Sequence, residues 1–359
     1  LQPLVQTRIE ALTIHENYQR KAEIIKEIVH SNVLKVDDLV HESVYKPIEK
    51  TAILQNVVPS CFKEATGFFD SLNNFIAAIN PPDHEAVISF SDQLNATNYP
   101  EISARITAIC AALQMEIPKC YIGRGKYANA IIGVEGKPSF VNVGVDFLNQ
   151  ESIRYLETNA LLFLITIELS HIYFKHSKIT STDVWRGAAD KGFNLVNMLL
   201  TVLPFAGNIG TIFGNVANVE KYVNILQRVE QVANVAEKGK EIKEVSEKYN
   251  LNPFGKNTAN TDNSQNLLIT SRLMEIVADK VALLFCDDLK AAAKGLLVGT
   301  RFYEEYHPLI IEHGLQAFLA QTNTNDEFIH QELIIRLRSM CSFYLSDTFE
   351  TLKQQLYSS

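Results

Sequence analysis

The segment that most restricts the fold of this chain is an apolar helical run near its middle. Residues from Glu151 to about His176 have the spacing of one long helix, and apolar side chains occupy every face of its centre, Ala160–Ile167. A helix that is apolar all round is typical of one buried on every side. We therefore expect this segment to form the centre of the protein, with other elements packed around it.

Short strand-like segments precede this central helix. Cys120–Gly123, Asn129–Val134 and Ser139–Val145 contain strand-favouring residues and are separated by turns with glycine. Much of the remaining chain has apolar residues three and four positions apart, which is the spacing of amphipathic helices. The pattern predicts a helix-rich α+β protein with a small sheet of three or four strands, wrapped by N-terminal helices.

The chain divides into three predicted regions. An N-terminal helical region covers 1–99, a core covers 100–289, and a C-terminal helical region covers 290–359. Within the first region, helical spacing predicts helices at the following segments: Ile9–Val29, Lys35–Val58 and Cys61–Ile79.

The core contains a predicted helical insertion with a loop, residues 177–266. Its uncharged stretch Gly192–Val219 is long enough to span a bilayer, but it holds several Asn and Gly residues and a Pro. These residues favour two short buried helices over a membrane-touching hairpin. A polar run at Asn252–Asn266 predicts a loop before the next helix, Leu267–Asp288. Membrane association is therefore an open but disfavoured alternative.

Charge and cysteine usage exclude several classes of protein. The formal net charge of −8 argues against a nucleic-acid partner. The five cysteines are scattered and form no C-x-x-C pair, which argues against a disulfide framework and against a cysteine-rich zinc site. Such usage suits a reducing compartment, and Leu1–Glu10 lacks the basic and apolar regions of a secretory signal. A cytoplasmic location is the favoured expectation.

Chemistry is concentrated at the end of the central helix, in the sequence Ile167-Glu168-Leu169-Ser170-His171. In an H-E-x-x-H helix, two histidines one turn apart bind zinc, and the glutamate between them takes a proton from the zinc-bound water. Here Glu168 and His171 occupy the glutamate and second-histidine positions. Ile167 stands at the position of the first histidine.

Several short motifs lie before and after this helix in the sequence. The run from Ser271 to Asp279 reads S-R-L-M-E-I-V-A-D, with Glu275 as its central acid. The remaining matching segments are Asn129-Ala130-Ile131-Ile132-Gly133, the strand within Pro138–Leu148, His176-Ser177, and His330 followed six positions later by Arg336. Several partial matches in one order are more specific than any single motif.

Taken together, these segments resemble the M48 family of zinc metallopeptidases, which are gluzincins, over about Pro100 to Met340. The resemblance implies a zincin-like metallopeptidase domain with a small mixed β-sheet and additional N- and C-terminal helices. It also implies a role for each matching residue. These are Glu168 as the catalytic base, His171 and Glu275 as zinc ligands, Asp279 as a support for the ligand Glu275, and Asn129, Ala130, Ile131, His330 and Arg336 as substrate-binding residues.

The main departure from the family pattern is Ile167, which has no lone pair to donate to a metal. A catalytic zinc takes three protein ligands and a water, and the motif here supplies only His171 and Glu275. Zinc is thus implied by the resemblance, but we expect it to be weakly bound or absent.

Three functions stay open. The leading one is a pseudopeptidase with impaired proteolysis that binds a peptide or protein segment in its cleft. The second is an active zinc metalloendopeptidase with a replacement ligand from outside the motif. The third is an enzyme that reuses the cleft for non-proteolytic chemistry on a small molecule, with Glu168 as acid or base.

Overall fold

A mixed four-stranded sheet and a set of helices make up the described part of the protein, so the expected helix-rich α+β class is confirmed. The computed structural model describes residues 2–30, 33–36, 44–57, 91–134, 138–174, 263–300, 303–320 and 327–357. Its helices are α1 (Gln2–His30), α2 (Lys50–Val57), α3 (Pro100–Ala112), α4 (Thr158–Tyr173), α5 (Asn263–Cys286), α6 (Leu289–Val298), α7 (Tyr303–Ala320), α8 (Glu327–Tyr344) and α9 (Asp347–Leu356). Its strands are β1 (Ser91–Gln93), β2 (Lys119–Gly123), β3 (Ile131–Val134) and β4 (Phe140–Gly144).

The sheet has the order β1-β2-β4-β3. β2 and β4 are parallel, whereas β1 runs antiparallel to β2 and β3 runs antiparallel to β4. The three strands expected from sequence are present, although β3 begins at Ile131 and not at Asn129. β3 lies at one edge of the sheet among the described strands, as expected for the segment that resembles a substrate-binding strand.

β1 was not expected, because the first hundred residues predict helices. Its three residues, Ser91-Asp92-Gln93, carry no alternation of apolar and polar side chains. The strand exists because its backbone pairs with β2, and Asp92 forms an ion pair with Arg124 (2.7 Å) just after β2. Partners distant in sequence thus create an element that a local pattern does not contain.

Helix α4 forms the centre of the protein, as its composition predicts. Every residue from Asn159 to His171 is buried. The helix begins at Thr158, however, and the preceding residues from Glu151 form turns. α6 crosses α4 so closely that a Cβ atom on Gly295 would lie 2.8 Å from the carbonyl oxygen of Ala160. Only glycine allows the two backbones this approach.

Two buried cations, Arg154 and Lys294, anchor the loop that precedes α4. The side chain of Arg154 donates to the carbonyl oxygens of Val298 (2.6 Å) and Thr300 (3.0 Å) and pairs with Glu304 (2.5 Å). Lys294 of α6 binds both carboxylate oxygens of Glu157, at 2.7 and 2.6 Å. These contacts join the loop before α4 to α6 and α7, and so orient the central helix.

The predicted helix Lys35–Val58 is wrong over residues 44–49, which are not helical. Tyr45 forms an isolated β-bridge with Tyr357, and the neighbouring Lys46 donates its backbone N–H to the carbonyl oxygen of Leu356 (2.6 Å). Pro47 follows, and proline has no N–H to give to a helix. Apolar spacing over 44–49 therefore reflects packing of an extended chain, and of the described residues in this segment only Lys50–Val57 are helical.

The start of α5 also differs from the prediction, because the helix begins at Asn263, inside the polar run expected to be a loop. Asp, Asn and Ser are favoured at helix N-termini as well as in loops, so composition alone does not separate the two. The expected helix Cys61–Ile79 and the stretch Gly192–Val219 lie outside the described residues. None of the described helices combines the length and apolar character that crossing a membrane requires.

The main hydrophobic core of the described residues contains side chains from all three predicted regions. It extends in sequence from Ile25 in α1 to Leu356 in α9 and includes the apolar centre of α4. Val141 and Val143 of β4 face this core. The opposite face of the sheet carries a second, smaller cluster around Phe140 and Val134.

Candidate functional site

Glu168 and His171 lie on the buried C-terminal half of α4. Their residues are only 5% and 3% exposed to solvent, although both carry polar side chains. The apolar character of α4 explains this burial, because the helix must be surrounded on every side to be stable. Buried polar groups need partners. Strand β3 supplies a hydrogen-bond donor to Glu168, and helix α5 places a carboxylate near His171.

Helix α5 brings an acid to His171. The Nε2 atom of His171 lies 3.4 Å from Oε1 of Glu275, although the two residues are 104 positions apart in sequence. α4 and α5 pack side by side, so this contact follows from the packing of two long helices. His171 and Glu275 therefore lie next to each other, as their motifs led us to expect.

Arg336 of α8 joins the two acids of α5. Its Nε and Nη2 atoms donate to the two carboxylate oxygens of Asp279, at 2.8 and 2.5 Å. Its Nη1 atom lies 3.3 Å from Oε2 of Glu275. A guanidinium that spans two carboxylates fixes both of them, so Arg336 holds Glu275 in position beside His171.

Burial and neighbouring charges shift the pKa values of Asp279 and Arg336 in opposite directions. Burial raises the pKa of the fully buried Asp279 carboxyl, and the contacts with Arg336 oppose the shift. Burial by itself would lower the pKa of Arg336, but Asp279 and Glu275 raise it above the usual value for arginine. Arg336 consequently stays charged inside the protein and acts as the fixed cation of the site.

Ile167 is 3% exposed and belongs to the main hydrophobic core. Among the residues that the structure describes, no group of three or more His, Cys, Asp or Glu side chains could hold a metal ion. A catalytic zinc takes three protein ligands. His171 and Glu275 supply two, so the described donors fall short of the set that a zinc hydrolase uses.

Glu168 contacts the edge strand. Its Oε2 atom accepts a hydrogen bond from the backbone N–H of Gly133 in β3, with a nitrogen–oxygen distance of 2.6 Å. A Cβ atom on Gly133 would lie 3.0 Å from the Cβ, carbonyl oxygen and Oε2 of Glu168. A side chain at this position would have to move β3 or Glu168 by a few tenths of an ångström, so glycine favours the close approach of β3 to α4.

The sequence motifs do not predict this contact, although Gly133 is the last residue of the motif Asn129-Ala130-Ile131-Ile132-Gly133. The available signal was an isolated glycine within a strand, which often marks a close approach of backbone.

The three strand residues expected to bind substrate have different surroundings. Asn129 is exposed and precedes β3. Ala130 directs its carbonyl oxygen into the sheet, where it accepts from the N–H of Gly144 (2.8 Å). Paired and outward residues alternate along an antiparallel strand, so Ile131 directs its N–H and C=O away from β4. Of the three, only Ile131 presents both backbone groups at the edge of β3 that none of the described strands pairs with.

The remaining motif residues are placed on their expected elements. His330 and Arg336 both lie on α8, and Ser271 and Arg272 lie on α5. The side chains of His330, Ser271 and Arg272 are outside the described part of the protein, as is the segment His176-Ser177.

Comparisons with protein-family models, curated protein sequences and solved structures found no match to this chain. The geometry of the site and the sequence motifs are therefore the basis on which function is inferred.

Proposed function

We propose that this protein is a zincin-like pseudopeptidase, related to the M48 metallopeptidases, that binds an extended peptide and does not cleave it. The observation that carries the proposal is the contact between His171 and Glu275 at 3.4 Å, next to a buried Ile167. Two residues at ligand positions meet, while the position of the third ligand holds a side chain with no donor atom.

The arrangement around these residues favours retention of the scaffold. Asp279 and Arg336 still form a two-bond ion pair behind Glu275. Such a buried pair needs good geometry to offset the cost of removing both charges from water. Its presence supports a site whose shape is maintained although its metal chemistry is impaired.

Peptide binding is supported by the position of β3. Ile131 presents its N–H and C=O at the sheet edge, and no strand pairs with this edge among the described residues. An open edge binds an extended peptide by adding it as a further strand, with affinity from main-chain hydrogen bonds. The edge lies directly beside Glu168, where a substrate of an active relative would be expected to pass.

A metal titration tests the pseudopeptidase half of the proposal. We expect less than stoichiometric zinc in the purified protein after dialysis against zinc and then against buffer, measured by plasma mass spectrometry. The variant Ile167→His should retain zinc near one equivalent, because histidines one turn apart again face one point. Ile167→Leu is the matched control and should behave as the unaltered protein does.

Stoichiometric zinc in the unaltered protein that resists a chelator would contradict this half of the proposal. Together with cleavage of a fluorogenic peptide, it would support the active metalloendopeptidase with a replacement ligand.

A backbone substitution tests the binding half. Ile131→Pro removes the outward N–H of β3, and edge strands tolerate proline where the N–H faces away from the sheet. Ile131→Val keeps the N–H and is the matched control. Peptides enriched from a random octapeptide display library should bind the protein and Ile131→Val, and bind Ile131→Pro about tenfold more weakly, a loss of about one hydrogen bond. Equal binding to a folded Ile131→Pro would exclude β3 as the docking strand.

A further inference from the structure

The contact between Glu168 and Gly133 limits what the β3 edge can bind. The N–H of Gly133 faces away from β4, because paired and outward residues alternate and Ala130 is paired with Gly144. Oε2 of Glu168 lies 2.6 Å from this nitrogen. A carboxylate oxygen therefore occupies the place where a neighbouring strand would put its carbonyl oxygen.

A docked strand cannot run past Gly133 without displacing this carboxylate. Glu168 is only 5% exposed. A strand that displaced its carboxylate from Gly133 would leave a buried charged group without this hydrogen bond, which is costly. The outward groups that a ligand strand can reach before this carboxylate are both backbone groups of Ile131. The ligand strand must therefore end before Gly133, opposite Ile132.

Charge decides which end of the ligand lies there. A parallel ligand would place its C-terminal carboxylate against Glu168, whereas an antiparallel ligand places its α-ammonium there. The carboxylate of Glu168 lies at that end of the edge, 2.6 Å from the nitrogen of Gly133. Like charges repel and opposite charges attract most strongly where water is excluded, so an ammonium is favoured.

We propose, building on the proposed function, that the β3 edge binds the free amino terminus of a peptide. The α-ammonium pairs with the carboxylate of Glu168, which occupies the place where the ligand strand would otherwise continue along Gly133. The first residue of the ligand lies opposite Ile132, so the second lies opposite Ile131 and exchanges two backbone hydrogen bonds with it, because the antiparallel register advances one residue at a time. A dipeptide with an amidated C-terminus is accordingly the shortest ligand that uses every available group.

Blocking the amine of the ligand tests this inference on the unaltered protein. Two random hexapeptide libraries are compared, one with free amino termini and one acetylated, both amidated at the C-terminus. Binding is measured by fluorescence polarisation of enriched members. We expect the free-amine peptides to bind about tenfold more tightly than their acetylated counterparts, because acetylation removes a charge-assisted contact.

Two variants assign the preference to a residue. Glu168→Gln removes the carboxylate charge and should abolish the preference for a free amine, with folding checked by circular dichroism. Glu275→Gln removes a neighbouring charge of the same site and should keep most of the preference. An equal loss in both variants would overturn the assignment to Glu168.

The outcomes separate this inference from the proposed function. If free and acetylated peptides bind equally well, the amino-terminal inference fails and peptide binding stands. If acetylated peptides bind tightly only when they contain lysine, the ligand is a side-chain ammonium and the amino-terminal assignment is overturned. If neither library yields a ligand, both the inference and the proposed peptide-binding function fail.

Discussion

Replacement of Arg336 by methionine removes the cation that faces the most deeply buried acid of the site. The side chain of Asp279 has no exposed surface and that of Arg336 is 15% exposed, with two bonds of 2.8 and 2.5 Å between them. Removing one partner of a buried pair costs about 3–5 kcal/mol, because the other charge stays in the protein interior. We expect Arg336→Met to lower the free energy of unfolding by this amount at pH 7.

The cost should depend on pH in a direction set by Asp279. Burial holds the pKa of this carboxyl above its usual value, and loss of Arg336 removes the opposing influence. An acid whose folded-state pKa is raised destabilises the fold above its unfolded-state pKa, and the penalty disappears once pH falls below that value. The deficit of Arg336→Met should therefore shrink from pH 7 towards pH 4, by at most about 1.4 kcal/mol per pH unit.

Urea unfolding followed by circular dichroism at several pH values measures both effects. Two control variants sharpen the result. Arg124→Met breaks an exposed ion pair with Asp92 and should cost under about 1 kcal/mol. Asp279→Leu combined with Arg336→Met removes both charges and should restore stability close to that of the unaltered protein. A cost of Arg336→Met below about 1 kcal/mol at pH 7, or one that is the same at pH 5, would refute the reasoning.

Three further predictions follow from single contacts. Gly133→Ala should lower the free energy of unfolding by about 1–3 kcal/mol in urea, because the added Cβ would lie 3.0 Å from three atoms of Glu168. An unchanged free energy of unfolding would mean that α4 and β3 separate readily. The hydrogen bond from Arg154 lowers the pKa of Glu304, so this bond stabilises the fold above pH 4.5 and the stabilisation is lost as pH falls. Glu304→Gln should therefore flatten the acid side of the curve of unfolding free energy against pH, and an unchanged slope would exclude this contribution. Burial raises the pKa of the Cys110 thiol to about 12, so iodoacetamide at pH 8 should label it in urea and leave it unlabelled in the folded protein, as mass spectrometry of the peptides will show.

Local patterns in the sequence determined the main elements of the protein. The apolar run at Ala160–Ile167 predicts a buried helix, and α4 is buried on every side. The three expected strands are present as β2, β3 and β4. The motif spacing also identified the helix that carries Glu168 and His171, and the acid Glu275 that reaches it. Periodicity and turn chemistry act over a few residues, so one sequence contains enough information to predict them.

The tertiary structure alone decided how these elements meet. The extended chain at Tyr45 depends on its pairing with Tyr357, and β1 depends on β2, so neither is encoded in its own segment. Whether Arg336 contacts substrate or the acids of α5 is likewise not visible in its motif, and in the structure it binds Asp279. The same is true of Glu168, whose carboxylate ends the open edge of β3 at Gly133. Contacts between residues far apart in sequence depend on how helices and strands pack, and packing is a property of the whole chain.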